Sequence, residues 1–150
     1  MADIVDKATR SRMMSGIRGK NTRPELFIRK ALHKKGFRYK LHDKRLPGKP
    51  DLVFPRYRAV ILVHGCFWHG HDCSLFKWPS TREEFWQAKI RRNREKDLEV
   101  LADLESSGWR VLVVWECAIK GRGKLVETEL LDSLERWLDS DVHHGEIRGV

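Results

Sequence analysis

Apolar residues recur along this chain in two periods, one near 3.6 and one near 2, and the switches between them mark its elements. Thr22 is a helix-capping residue type, Pro24 falls in the first turn and Glu25 follows three residues after the cap, a capping box. Leu26, Phe27, Ile28, Ala31 and Leu32 give that helix an apolar side, and Gly36 stops it. "FRYKL" (37–41) alternates as a strand does, and "LPGKP" (46–50) is a turn. "DLVF" (51–54) and "AVILVHG" (59–65) are β-rich runs separated by "PRYR", which predicts a hairpin. "STREEFWQAKIRRNREKDLEVLADLESSG" (80–108) predicts a long helix, capped by Thr81 with Glu84 three residues on and ended by Gly108. "WRVLVVWE" (109–116) is an apolar, buried strand, and a helix follows near 123–138. Residues 140–150, which include "DVHHGEIRGV", read as a loose tail. Strands mixed with helices predict an α/β sheet with helices on its faces. No repeat, linker or second boundary interrupts 1–150, so one domain is expected.

Charge adds a direction to this picture. The net charge is +9, with 30 Lys/Arg against 21 Asp/Glu. Residues 1–50 hold 15 basic and 4 acidic residues, and residues 51–150 hold 15 and 17, so the whole excess lies in the first third. The segment 1–20 reads as a basic arm, partly helical at best. Such asymmetry favours a polyanion, usually nucleic acid, over a merely solvated basic surface. No apolar run reaches membrane-spanning length, and "MADIVDKATRSRMMSG" lacks the apolar core of a secretory signal. Three cysteines make an odd number, which argues against a disulfide framework and for a reducing cytoplasm.

The densest chemistry is "VHGCFWHGHDC" (63–73), which holds three of the seven histidines and two of the three cysteines. Cys66, His71 and Cys73 lie within eight residues, close enough for one turn to gather them. Cys117 directly follows the strand "VLVVW". If that strand lies beside "AVILV", Cys117 and Cys66 become neighbours, and the set is Cys3His, a closed structural zinc site. The spacing matches no standard finger, and three ordinary buried thiols beside a histidine-rich loop is the plainer alternative. Use of every cysteine favours zinc. His64 and His69 are left over as spare ligands, supporting groups or groups that move a proton near neutral pH. "PGKPDLVF" is a second candidate. Pro50-Asp51 opens one hairpin strand and a polar residue stands on the next, the geometry in which carboxylates hold Mg²⁺ for phosphodiester cleavage in PD-(D/E)xK nucleases. Alone it is a weak signal, because an aspartate often just starts a turn.

Taken together, "DKATRSRMMSGIRGKNTRPE", "LPGKPDLVF", "VHGCFWHGHDC", "TREEFWQAKIRRNREKD" and "GWRVLVVWECA" closely resemble the very-short-patch-repair (Vsr) DNA mismatch endonucleases, from about residue 3 to about residue 138. The resemblance implies a restriction-endonuclease-like mixed sheet flanked by helices, with a structural zinc. It implies Mg²⁺-dependent nicking on the 5′ side of the thymine in a T·G mismatch, a lesion left when 5-methylcytosine deaminates. Asp51 then matches the Mg²⁺-binding aspartate. The usual Glu-x-Lys of the next strand is replaced by Leu62-Val63-His64, so Val63 offers only its backbone carbonyl and His64 stands in the lysine's place. His69 matches a proton-transfer histidine, and Cys66, His71, Cys73 and Cys117 match the zinc ligands. Glu25 matches a carboxylate that orders metal-bound water, although the capping box accounts for it without chemistry. Phe67, Trp68 and Trp86 match residues that wedge into the base stack, although Trp86 shares a helical face with Ile90 and reads equally as core. Arg10, Arg12 and Arg18 of the arm are the expected phosphate contacts. The implied partners are mismatched double-stranded DNA, a MutL-type repair protein and the setting of a cytosine methyltransferase. A monomer in the cytoplasm, nucleoid-associated when bound, is expected. A restriction-type enzyme on unmismatched DNA and a non-catalytic zinc-stabilised DNA-binding module are the alternatives. A catalytic zinc is disfavoured, because four protein ligands leave no open position.

Overall fold

The computed structural model describes residues 22–150, so the basic arm and its Arg10, Arg12 and Arg18 lie outside the described residues. Five strands form one mixed sheet in sequential order. They are β1 (Lys40–Leu41), β2 (Leu52–Phe54), β3 (Ala59–His64), β4 (Arg110–Trp115) and β5 (His144–Ile147). The helices are α1 (Arg23–Lys34), α2 (Glu83–Ser106) and α3 (Glu127–Asp139). β1, β2 and β3 run antiparallel in turn, whereas β4 is parallel to β3 and β5 is parallel to β4. The mixed α/β sheet flanked by helices is the one the pattern predicted.

Alternation along the strands assigns the two faces. Leu52, Phe54, Ala59, Ile61, Leu112 and Val114 pack with Ile28 and Leu32 of α1 and Leu130, Leu134 and Leu138 of α3. Val53, Val60, Leu62, Val111 and Val113 face the other way, onto Leu104 and Val100 of α2. The predicted hairpin forms, closed by a 3₁₀ turn over Pro55–Tyr57 with Arg58 in the left-handed region. Thr22 caps α1, accepting from the Glu25 N–H at 3.4 Å, and the chain leaves that helix through Gly36 at φ +99°.

Three expectations need correction. The end of the chain is not loose: β5 pairs with β4, and the Val150 N–H donates to the Gly123 carbonyl at 2.8 Å. Its residues look polar because β5 is an edge strand that needs no continuous apolar run. Thr81 does not cap α2. Arg82 holds that position in the left-handed region with no side-chain cap, and Glu83 and Glu84 place negative charge on the first turn instead. Within "FRYKL" only Lys40 and Leu41 pair as strand. Phe37 turns into the core against Phe54 and Tyr57, and the Tyr39 hydroxyl donates to the Arg29 carbonyl at 2.6 Å.

The topology gathers the chemistry. β2 runs antiparallel to β3, so the start of β2 lies beside the finish of β3. β4 and β5 finish at that same end. Asp51, His64 and the residues after Trp115 and Ile147 therefore emerge together, at the end of the sheet where α/β proteins generally bind ligands.

Candidate active site and metal centres

Three side-chain clusters with metal-binding residue types occupy this end of the sheet. The first is the predicted set. Cys66, His71, Cys73 and Cys117 bring one ligand atom each to within 4.8 Å of one another. All three cysteines are free thiols. His71 Nδ1 lies 3.5 Å from both Cys66 Sγ and Cys117 Sγ. Ligands at ordinary zinc–sulfur and zinc–nitrogen lengths in a tetrahedron stand about 3.5 Å apart, so the spacing fits a zinc ion. The strand pairing that Cys117 required is present, with His64 opposite Trp115 in the β3–β4 register. Backbone donors support the sulfurs: the Cys117 N–H points to Cys66 Sγ and the Gly149 N–H to Cys117 Sγ, both at 3.3 Å. Burial without a cation pushes the Cys66 and Cys117 thiols up, and a divalent cation is what would offset that. The His71 ring stacks on Trp115 with centroids 3.8 Å apart, which fixes the imidazole plane.

The second cluster is Glu25, His42 and Asp51. Asp51 accepts from the Val63 N–H through Oδ2 at 2.7 Å, so the Val63 backbone meets this carboxylate through its donor. Burial, opposed by that hydrogen bond but reinforced by the nearby Glu25 carboxylate, pushes Asp51 up to about 6. Glu25 is 1% exposed. Its side chain does not simply serve the helix cap, since Oε2 lies 2.9 Å from Arg29 and 2.9 Å from His42 Nε2. A buried and a half-buried carboxylate beside an imidazole form an oxygen-rich donor set that fits a hard divalent ion. Leu62 faces the opposite side of the sheet, in the α2 core, and contributes nothing to the cluster.

The third cluster is His64, His69 and Asp97. His64 and His69 stack face to face, with centroids 3.8 Å apart and planes 5° apart. His69 Nδ1 lies 2.6 Å from Asp97 Oδ2. Burial, with His69 and His71 nearby, holds His64 well below the usual histidine range. Asp97 escaped the sequence reading because "REKD" on a helix looks like a solvated charge run. A usable signal was present: Trp86, Ile90, Asn93 and Asp97 share one face of α2 at helical spacing. That face meets the loop after β3. Asn93 donates to the Trp68 carbonyl at 2.8 Å, and Gly70, at φ +60°, leaves no room for a Cβ, which would lie 2.5 Å from Ile90.

The three predicted wedge residues form one aromatic group. Phe67 contacts Trp68 at 5.1 Å and Trp86 at 5.3 Å between centroids, and Trp68 stands 5.8 Å from Trp86. All three are half-buried, whereas Ile90, one turn beyond Trp86, is 2% exposed. Trp86 therefore belongs to this surface group and not to the core.

The fold and clusters define a class, an α/β protein with a cysteine–histidine cluster beside carboxylate–histidine clusters at one sheet end. The DNA mismatch endonuclease Vsr family model matches residues 2–75. The chain is 49% identical over 138 residues to the DNA mismatch endonuclease Vsr of Escherichia coli K12, covering 92% of this chain and 88% of that one. It is 47% identical to the type II nicking enzyme V.XorIIP of Xanthomonas oryzae pv. oryzae, over 83% of this chain and 92% of that protein. It is 43% identical to the type II nicking enzyme V.NmeAIP of Neisseria meningitidis serogroup A, over 91% and 96% respectively. The chain belongs to the Vsr DNA mismatch endonuclease family.

Proposed function

We propose that this protein is a DNA endonuclease with a restriction-endonuclease-like core, which nicks one strand on the 5′ side of the thymine in a T·G mismatch and so starts very short patch repair. The observation that carries the reading is the pairing of Asp51 with the His64–His69–Asp97 group at one sheet end, in a chain of this family. The residues favour this over a non-catalytic zinc-stabilised module, because a binding module has no use for a half-buried proton-transfer pair beside a carboxylate cluster. Relatives named as nicking enzymes favour single-strand cleavage over a restriction-type double cut.

Asp51, with Glu25 beside it and the Val63 backbone, would hold Mg²⁺, which when bound supplies charge to activate water and to stabilise the leaving oxygen. The protein's own groups do the rest. Asp97 fixes the His69 ring through Nδ1 and leaves Nε2 to move a proton at the reacting water or leaving oxygen. His64, stacked on His69, keeps that ring in plane. Cys66, His71, Cys73 and Cys117 would hold zinc as a structural brace, and four protein ligands leave it no catalytic opening. The brace holds the loop that presents Phe67 and Trp68. With Trp86, these rings enter the base stack at the mismatch, where unstacking costs least. The basic arm, with Arg10, Arg12 and Arg18, grips phosphates without reading sequence. The setting is the cytoplasmic chromosome of a cell with a cytosine methyltransferase, acting as a monomer alongside a MutL-type repair protein.

The decisive experiment is a nicking assay with each strand end-labelled, on duplexes that differ only in one T·G against one C·G pair. Cleavage of the T strand alone, in Mg²⁺ and only in the mismatched duplex, is expected. Equal cleavage of both duplexes would establish the restriction-type alternative.

A further inference from the structure

His42 has no place in the chemistry described above, yet the fold delivers it to the carboxylate pair with some effort. β1 is two residues long, and both are exposed. Its pairing has one evident consequence. The register Lys40 to Val53 and Leu41 to Leu52 continues with the His42 N–H donating to the Asp51 carbonyl at 3.2 Å. His42 itself sits at φ +47°, in the left-handed region that few residues other than glycine occupy. That bend turns the imidazole inward. Its side chain is 15% exposed, and Nε2 lies 2.9 Å from Glu25 Oε2 while being completely shielded from solvent. The contact is skewed from the line of a straight hydrogen bond. Arg29 donates to the same Glu25 oxygen, also at 2.9 Å. A helix guanidinium and a strand-end imidazole thus meet on one Glu25 oxygen, in the cluster that also holds Asp51.

We propose that His42 is a positioning residue, which holds the Glu25 carboxylate beside Asp51 in the orientation that receives the divalent ion. This rests on the nuclease reading of Asp51 and assigns a role to a residue outside it. The paired strand end, the left-handed turn and the shielded imidazole all bear on that one carboxylate.

The test compares the full-length wild type with His42→Ala and His42→Gln, the second keeping a side-chain N–H donor. Three readouts are needed: Mn²⁺ binding by the DNA-free protein, followed by electron paramagnetic resonance; the Mg²⁺ concentration for half-maximal nicking, set against the maximal rate; and thermal unfolding in EDTA. His42→Ala should weaken Mn²⁺ binding and raise the Mg²⁺ requirement at least fivefold, with a smaller change in rate at saturating Mg²⁺. His42→Gln should recover most of both. A purely structural histidine would lower the unfolding temperature of the alanine variant and leave its Mn²⁺ affinity and Mg²⁺ requirement within twofold, which overturns the proposal. Equal defects in the glutamine and alanine variants overturn it as well, because held orientation is then not what the imidazole supplies. Wild-type protein that binds no Mn²⁺ and nicks without divalent ions overturns the metal reading of Asp51 and Glu25, and the role of His42 with it.

Discussion

His69 Nδ1 and Asp97 Oδ2 stand 2.6 Å apart, joining the loop after β3 to the middle of α2 across 28 residues of chain. A carboxylate against one nitrogen of an imidazole fixes its orientation and tautomer, as in other proton-transfer pairs. His69→Ala is expected to slow single-turnover nicking by about 10²–10⁴-fold, the usual worth of a general acid–base group. Asp97→Asn should slow it less. The double variant should be no slower than His69→Ala alone, because the two act as one unit. Additive losses in the double variant would separate their roles.

Asp51 carries a pH prediction. Its folded value of about 6 lies above its ordinary 3.8, so the folded, metal-free protein holds this proton more tightly than the unfolded chain does. Stability from this group is therefore present at low pH, falls between about pH 4 and 6, and stays level above that. Asp51→Asn removes the penalty. It should abolish nicking in Mg²⁺ while stabilising the metal-free protein at pH 7.5, by at most about 3 kcal/mol, since each tenfold change in proton affinity is worth about 1.36 kcal/mol. Chemical denaturation in EDTA at pH 4.5 and 7.5 checks both sign and window. An Asp51→Asn protein less stable than wild type at pH 7.5 would contradict it.

The two metals should separate. Brief weak chelation is expected to stop nicking reversibly, with Mg²⁺ alone restoring it, while one zinc per chain stays bound. Cys117→Ser should unfold or strongly destabilise the protein, since structural zinc contributes apparent folding energies on the order of 10 kcal/mol. Elemental analysis that finds no zinc in purified protein would refute the assignment.

The chain end should matter to that zinc. Arg148 donates to the Asp72 carboxylate at 2.7 Å and to the Asp72 carbonyl at 3.0 Å, and the Gly149 N–H meets Cys117 Sγ. A Cβ on Gly149 would lie 2.3 Å from the Cys117 carbonyl oxygen and 2.6 Å from that of Gly123. Gly149→Ala should therefore displace the strap and cost on the order of 1–3 kcal/mol, the overpacking range. It should also speed zinc transfer to a chromophoric chelator. Unchanged release rates would show that the strap and the centre are independent.

Selectivity and affinity should come apart by mutation. Trp68→Ala is expected to lower the preference for T·G over paired DNA with little change in the salt dependence of binding. Replacing Arg10, Arg12 and Arg18 together should weaken binding to every duplex and flatten the salt slope by up to about 0.9 for each phosphate no longer neutralised. Salt titrations on matched and mismatched duplexes decide it. Loss of stability in Trp68→Ala with unchanged selectivity would make that ring part of the packing.

What the sequence determined by itself was whatever short range controls. The hairpin, both long helices and the buried strand follow from periodicity and from turn residues whose preferences act within a few positions. The four zinc-type ligands were also legible as candidates, because cysteine is scarce here and "VHGCFWHGHDC" is dense, but bringing Cys117 to Cys66 required β4 to lie beside β3, which the tertiary structure decided. Tertiary structure decided the rest. The polar segment 144–147 is a strand only because β4 offers it an unpaired edge, and no local propensity announces that. Asp97, His42 and the inward turn of Glu25 join the sites through contacts between elements far apart in sequence. Each is a common charged or polar surface type, and only burial at the shared sheet end gives it a specific partner.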